Sequence, residues 1–333
     1  MSGTTYRGPI NRNPKDDEAG IVIYGYIPSL ALGIIGIIAF ATVLCVHSFW
    51  LIRNKGTRSF HMLMIIGALM EVGGYAARLA SHQRPFVVSS FVAQYFLIVV
   101  APVLFSAAIY LSLSIATKGY KGSEKYLIIS PKKVLIFFVT ADVITTIIQI
   151  AGAALIGTSE SARVRGRYTK VTPEQANNIL IAGLAIQCFS FTCFLFILLS
   201  MIYRLRSHSS TNLTSNSSSS SSSSPGSTKL PRFLYTILIT ACLILLRTTF
   251  RLAESGQGFF GFASTHESLF GTLEFLPVIL ALIIWSIYPP SKFISNPNPI
   301  FNSNSDSQIN DRDHRGDRVA SGIETRQISR DVV

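Results

Sequence analysis

FHMLMIIGALMEVGGYAARLA, residues 60–80, is an apolar run of 21 residues that carries two opposite charges, Glu71 and Arg78. A helix rises 1.5 Å per residue, so about 20 mostly apolar residues cross the hydrocarbon core of a bilayer. The run is therefore read as a membrane span. A charged side chain near the centre of such a span costs roughly 2.5–3.5 kcal/mol on insertion scales. Glu71 and Arg78 are two turns apart on one helix face, about 10 Å along the axis. Each is expected to pair with another helix rather than with the other.

The rest of the chain extends this reading. Of its 333 residues, 49% are hydrophobic and 14% charged, against about 25% charged in a typical soluble domain. The mean hydropathy is +0.42. The apolar residues gather in seven blocks, about 27–52, 60–80, 87–113, 134–156, 178–203, 233–253 and 268–288. The expected fold class is all-α, a polytopic membrane protein built as a seven-transmembrane-helix bundle. Pro102 falls inside the third block and is expected to kink it. Residues 1–26 form a polar N-terminal tail, and the first block is too long for a cleaved signal, so it is expected to act as an uncleaved anchor. Residues 204–232 collapse into serine, with an unbroken run over 217–224, and read as a flexible linker. The tail 289–333 is polar, of mixed charge, and expected to be disordered.

The formal charge of +12 would point to nucleic acid in a soluble chain. Here most Lys and Arg lie between apolar blocks, and no aromatic-basic module accompanies them, so nucleic acid is not an expected partner. Their placement reports orientation instead. Counting only basic residues close to the spans, thirteen lie on the side of the first, third and fifth loops, against eight on the other. That places the N-terminus outside or in the lumen and the C-terminus in the cytosol, of the plasma membrane or the endoplasmic reticulum. The sequons at Asn212 and Asn216 would then face the cytosol and stay unglycosylated.

With that orientation the charges inside the spans acquire depths. Glu71 is near mid-bilayer, and Arg78 is toward the outer surface. Arg247, Arg251 and Glu254 share one face of the sixth span, and Glu274 lies in the outer half of the seventh. Asp142 alone is nearer the cytosol. Gln149 and Gln187 are the polar residues of the fourth and fifth spans. Two readings stay open. Glu71, Asp142 and Glu274 pair with Arg78, Arg247 and Arg251 to hold the helices in register, or the set lines an outer-half cavity for amphiphilic lipids. In the second reading carboxylates hold an ammonium head group and arginines a phosphate or a hydroxyl-rich one.

Other chemistries lack their residues. There is no GxxxxGK[ST], which argues against an ATP-binding site. His47, His61, His82, His208, His266 and His314 include no HExxH or comparable pair, so no metal is expected. Cys45, Cys188, Cys193 and Cys242 all sit in apolar blocks and read as buried small side chains. No GxSxG elbow is present, no nucleophile and base can be assembled, and no cofactor is implied. The chain is read as a non-enzyme.

These residues resemble the fungal lipid-translocating exporter family of RTA-like seven-span proteins. The resemblance covers about 20–290 and is carried by Glu71, Gly74, Tyr75 and Arg78, then Ala101, Pro102, Ala107, Ala108 and Tyr110. Asp142, Gln149, Gly152, Gly183 and Gln187 continue it, and Arg247, Phe250, Arg251, Glu254, Gly258, Gly261 and Glu267 are its most specific piece. The seventh span departs from the family. It has Gly271-Thr272-Leu273-Glu274 where an aromatic-x-aromatic-Asp is usual, and Tyr288-Pro289 in place of His-Pro. The resemblance implies export of amphiphilic lipids, among them sphingoid long-chain bases, sterol-like molecules or phospholipids, and resistance to toxic amphiphiles. A seven-helix lipid receptor or sensor signalling through its cytosolic loops is the alternative.

Overall fold

A computed structural model describes residues 26–119, 127, 129–164, 170–215, 229–258 and 261–293, with 11, 13, 15, 18 and 22 from the N-terminal tail. The tail 294–333 and the whole serine run 217–224 lie outside the described residues. Seven helical segments among those described are long and apolar enough to cross a membrane.

Six of them are uninterrupted: α1 Leu30–Arg53, α2 Arg58–Gln83, α3 Val88–Gly119, α4 Pro131–Val164, α5 Pro173–Ser215 and α6 Lys229–Gly256. A short helix, α7 Phe262–Thr265, precedes the seventh span, Glu267–Lys292. That span is composite. It opens with α8 Glu267–Leu269, widens into a π turn over Phe270–Phe275, and continues as α9 Leu276–Ile287. The Leu276 N–H reaches back to the Gly271 carbonyl, and Pro277, with no N–H to give the preceding turn, follows directly.

Hydropathy marks the membrane, and the helices run past it. The fifth block was bounded at 203, whereas α5 goes on to Ser215, and α4 extends to Val164 through residues expected to be loop. Helical backbone satisfies its own hydrogen bonds in water as well as in lipid, so polar residues such as Arg204 and Arg206 do not end it. Pro102 lies inside α3, which continues through it.

Each helix packs on the next from α1 to α6, α9 packs on α6 and on α1, and the ring closes. The α3 helix also meets α6 across the ring and is the most enclosed span. The buried residues of α1 are Gly33, Gly36, Phe40, Val43 and His47, a spacing of three and four that draws one face of the helix. Outward sit Ile35, Ile38, Phe49 and Ile52, as do Phe137 and Ile147 on α4 and Phe189 and Phe196 on α5. Such a girdle is untenable in water and natural in lipid, where it meets acyl chains. The chain is an integral, multi-pass membrane protein.

Close approach depends on glycine at two crossings. A Cβ on Gly152 would stand 2.7 Å from the backbone nitrogen of Leu180, which cannot yield, and one on Gly36 would stand 2.3 Å from the Tyr75 ring. At the end of the bundle where α1 terminates, Trp50 Nε1 donates to the Ser286 carbonyl at 3.3 Å and Asn54 Nδ2 to Ser291 Oγ at 2.9 Å. There His47 and His61, both fully buried, face each other with Nδ1 atoms 3.1 Å apart.

Candidate functional site

Alternate helix direction brings the start of α1, the ends of α2 and α6, and the start of the seventh span to one end of the bundle, here termed the Ser29 end. Arg78 closes it. Its Nη2 donates to Glu267 Oε1 at 2.5 Å and to the Tyr26 hydroxyl at 3.1 Å, and its guanidinium lies 4.4 Å from the Phe270 ring centre. Glu267 is claimed from a second side, because Ser29 donates to it through its N–H at 2.9 Å and its hydroxyl at 3.0 Å. Ser29 is also the N-cap of α1, so one carboxylate joins α1, α2 and the seventh span. Burial raises the Tyr26 phenol above its usual range, with the Arg78 charge acting in the opposite sense.

Deeper in the bundle lies a second group. Arg247 Nη2 donates to Glu274 Oε1 at 2.5 Å and to the Ile98 carbonyl at 2.9 Å. Arg251, one turn later, pairs with Glu254 at 2.9 Å, places Nε 3.9 Å from Glu274 Oε2, and lies over the Tyr95 ring at 5.1 Å. The π turn holds Glu274 between these two arginines. Arg247 Nε and Glu274 Oε2 are buried without a hydrogen-bond partner among the described residues, so the pairing is incomplete.

Glu71 stands beside this group, 2% exposed. The charges of Arg247 and Glu274 act on it, yet among the described residues it has neither a hydrogen bond nor an ion pair. Of the two readings left open from sequence, the one that pairs Glu71 with an arginine finds no such pair among the described residues. Glu274 takes the sixth span's arginines, Glu267 takes Arg78, and no further cation pairs with Glu71 among the described residues.

The amides form a third part. Gln149 Nε2 donates to Gln187 Oε1 at 2.6 Å, tying α4 to α5. Between them and the sixth span is a cavity of about 10 Å³ lined by Val99, Gln149, Leu184, Gln187, Arg247, Thr248 and Arg251. It accommodates one water molecule. That space is too small for a lipid head group. Asp142 does not join the set. It is 1% exposed and accepts from the Tyr110 hydroxyl at 2.9 Å, with Phe138, Phe191 and Phe194 ringed around that tyrosine. Its Oδ1 is buried without a partner among the described residues.

Of the residues singled out from sequence, the structure thus gathers Glu71, Arg247, Arg251, Glu254 and Glu274 into one group and sets Gln149 and Gln187 on its border. Arg78 closes the end, and Asp142 sits apart. Sequence reasoning missed Tyr26, Ser29 and Tyr95, whereas Glu267 stood at the span boundary, within the most specific piece of the resemblance, as one of two possible partners for Arg78. Tyr95, one residue after Gln94 in an apolar block, gave no signal beyond its aromaticity.

The family model described as RTA1 like protein matches residues 64–297, from the second span through the end of the seventh. The chain belongs to the RTA1-like family. Protein RTM1 of Saccharomyces cerevisiae is 28% identical over 234 residues, covering 70% of this chain and 68% of that protein. The sphingoid long-chain base transporter RSB1 of the same yeast is 26% identical over 288 residues, 80% of this chain and 72% of its own. Protoporphyrin uptake protein 1, also from that yeast, is 24% identical over 303 residues, with 81% and 92% covered. No solved structure matches the chain. The RTA1-like model takes in the unpaired Glu71 and the Arg247–Glu274 pair alike.

Proposed function

We propose that this RTA1-like protein moves amphiphilic lipids with a cationic head group across its membrane and thereby protects the cell from toxic long-chain amines. The observation that carries the reading is Glu71: a carboxyl group, 2% exposed and without a hydrogen bond or ion pair among the described residues, at the centre of a span. An intramembrane acid is expensive to keep unpaired, and a protein that retains one has a use for it. An ammonium head group supplies the missing charge-assisted partner, and the lipid-solvated faces of the bundle leave the acyl chain at home. Two yeast relatives are named for carrying amphiphiles, one a sphingoid long-chain base and the other protoporphyrin. Names of that kind favour transport over catalysis.

In this reading the structure is the closed form. Opening of the Ser29 end separates Arg78 from Glu267 and admits the head group to Glu71, while the Arg247–Glu274 pair holds α6 against the seventh span. The N-terminus lies outside and the C-terminus in the cytosol.

The test is reconstitution of the purified protein in liposomes with labelled sphingoid base, phospholipid and sterol in parallel. The expected result is accelerated movement of the base, lost in Glu71→Gln. Equal movement of all three classes, or base movement untouched by that substitution, would rule the reading out. A receptor role would show instead as a stimulus-dependent cellular response lost in the variant while lipid movement in liposomes is absent from the wild type.

A further inference from the structure

The charges of the deep group do not balance. Among the described residues Glu71, Glu254 and Glu274 lie with two guanidiniums, Arg247 and Arg251, while Arg78 is engaged by Glu267 and Tyr26 instead. Among the described residues the elements packed around Glu71 bring no further cation: α6 presents Arg247, the seventh span Glu274, α3 the apolar Leu97 and Ile98 beside Gly74, and α1 Gly36 and Phe40 beyond Tyr75. Tyr75 of the same helix is the other titratable group at hand, and it is fully enclosed. A bare carboxylate with no partner carries the full desolvation penalty of a buried charge. The group is therefore short of one positive charge, and something mobile must bring it.

We infer that Glu71 is an exchange site that carries a proton when no cargo is bound and gives it up to an incoming ammonium head group, so that transport is a one-for-one exchange of a long-chain cation for a proton. This rests on the cationic-amphiphile reading given above. When cargo enters, the O–H bond of the Glu71 carboxyl breaks, its proton leaves to the water on the side from which the cargo came, and the ammonium takes its place. On the opposite side the cargo departs and a proton from that solution re-forms the O–H bond. The cluster is neutral in both loaded states, and only the bare state, the costly one, is barred from reorienting. The cycle moves no net charge, needs no nucleotide, and draws its direction from the proton gradient.

A quaternary probe isolates the exchange. A long-chain amine bearing a trimethylammonium head has no N–H to lose and does not cross a bilayer as a neutral molecule, unlike a primary amine. The full-length protein is placed in liposomes that enclose a pH-sensitive dye, with the membrane potential clamped by potassium and valinomycin. The expected result is alkalinisation of the interior on adding the quaternary probe outside, about one proton leaving per cation entering, with uptake increased by an acidic interior and indifferent to the clamped potential. Glu71→Gln is expected to reduce both fluxes roughly tenfold or more, and Glu71→Asp to retain coupled exchange at a lower rate, which guards against a variant that merely misfolds. Protein-dependent entry of the cation without proton exit, or entry that follows the potential, overturns exchange while leaving the transport reading intact. Movement of the primary amine with rejection of the quaternary probe also counts against exchange, since the neutral amine is then the species carried. Absence of any protein-dependent movement overturns both.

Discussion

Glu71 and Arg78 sit two turns apart on one face of α2, and the fold treats them in opposite ways. Arg78 is enclosed by Glu267, the Tyr26 hydroxyl and the Phe270 ring, and its carboxylate partner is in turn held by Ser29. Glu71, equally buried, receives no partner among the described residues. The difference teaches that a charge in a membrane span is not one kind of feature. A charge whose partners come from three elements is a fastening, and its removal is felt as stability. A charge left without one among the described residues adds no bond to the fold, and in the proposed function it serves the cargo instead.

The severest test of that contrast lies in the pair next to Glu71. Arg247→Ala strands Glu274, which is 1% exposed, between helices with only Arg251 nearby. Breaking a buried ion pair from one side costs about 3–5 kcal/mol. A lower unfolding temperature in detergent and poor recovery of folded protein are expected, and Arg247→Ala combined with Glu274→Gln is expected to recover much of the loss. A double variant as unstable as the sum of the two singles would mean that the pair is not a unit.

Arg78→Ala should come next, at about 2–3 kcal/mol, because its partner Glu267 keeps 24% of its side chain exposed and water relieves part of the penalty. Glu267→Gln should weaken the same clasp by a similar amount, and the double variant should add little. Proteolysis or hydrogen exchange at the start of α1 would register the loss locally, since Ser29 is released with Glu267. If the start of α1 stays as protected as in the wild type, the clasp is not what closes the Ser29 end.

How much of this was legible in the sequence follows from what each signal measures. Apolar blocks report where lipid is, so the seven spans and the composition of their outward faces could be read directly. They do not report where a helix stops, and α5 runs on to Ser215 because an isolated helix needs no bilayer to bond its backbone. The site was legible as cost: Glu71, Arg247, Arg251 and Glu274 are conspicuous wherever they stand in apolar sequence. Arg78 and Glu267 are 189 residues apart in the chain. Which of Glu267 and Glu274 relieves Arg78 was not legible, because either lies nearly two hundred residues away and only the packing of the seventh span on α2 decides between them. Nor was the π turn at Phe270–Phe275, which aims Glu274 at both arginines. Pro277 hinted at irregularity there, but a proline near the middle of a span is equally compatible with a simple kink.

Asp142 offers a milder version of the same contrast, being half satisfied. Tyr110→Phe removes the hydroxyl that bonds one carboxyl oxygen and leaves both without a donor. A loss of about 1–2 kcal/mol is expected, while the ring still fills its place among Phe138, Phe191 and Phe194. Amphiphile movement should be little changed, because Asp142 lies outside the group around Glu71. A stable Tyr110→Phe protein that no longer moves the base would place Asp142 in the transport path and dissolve the distinction.

Glu71→Gln is expected to have the smallest effect on stability, within about 1 kcal/mol of the wild type and toward stabilisation. The amide nearly matches the carboxyl in shape, and no bond seen in the structure is broken by the change. Transport should nevertheless fail, which gives this substitution the opposite signature from Arg78→Ala. The informative measurement is therefore paired: unfolding temperature and long-chain amine movement on the same preparation. A Glu71→Gln protein that loses several degrees of stability would show that the carboxylate has a partner in the membrane after all, and Glu71 would then belong with Arg78 among the fastenings. A protein as stable as the wild type that no longer moves its cargo would keep the two residues in separate roles, one closing the bundle and the other serving what enters it.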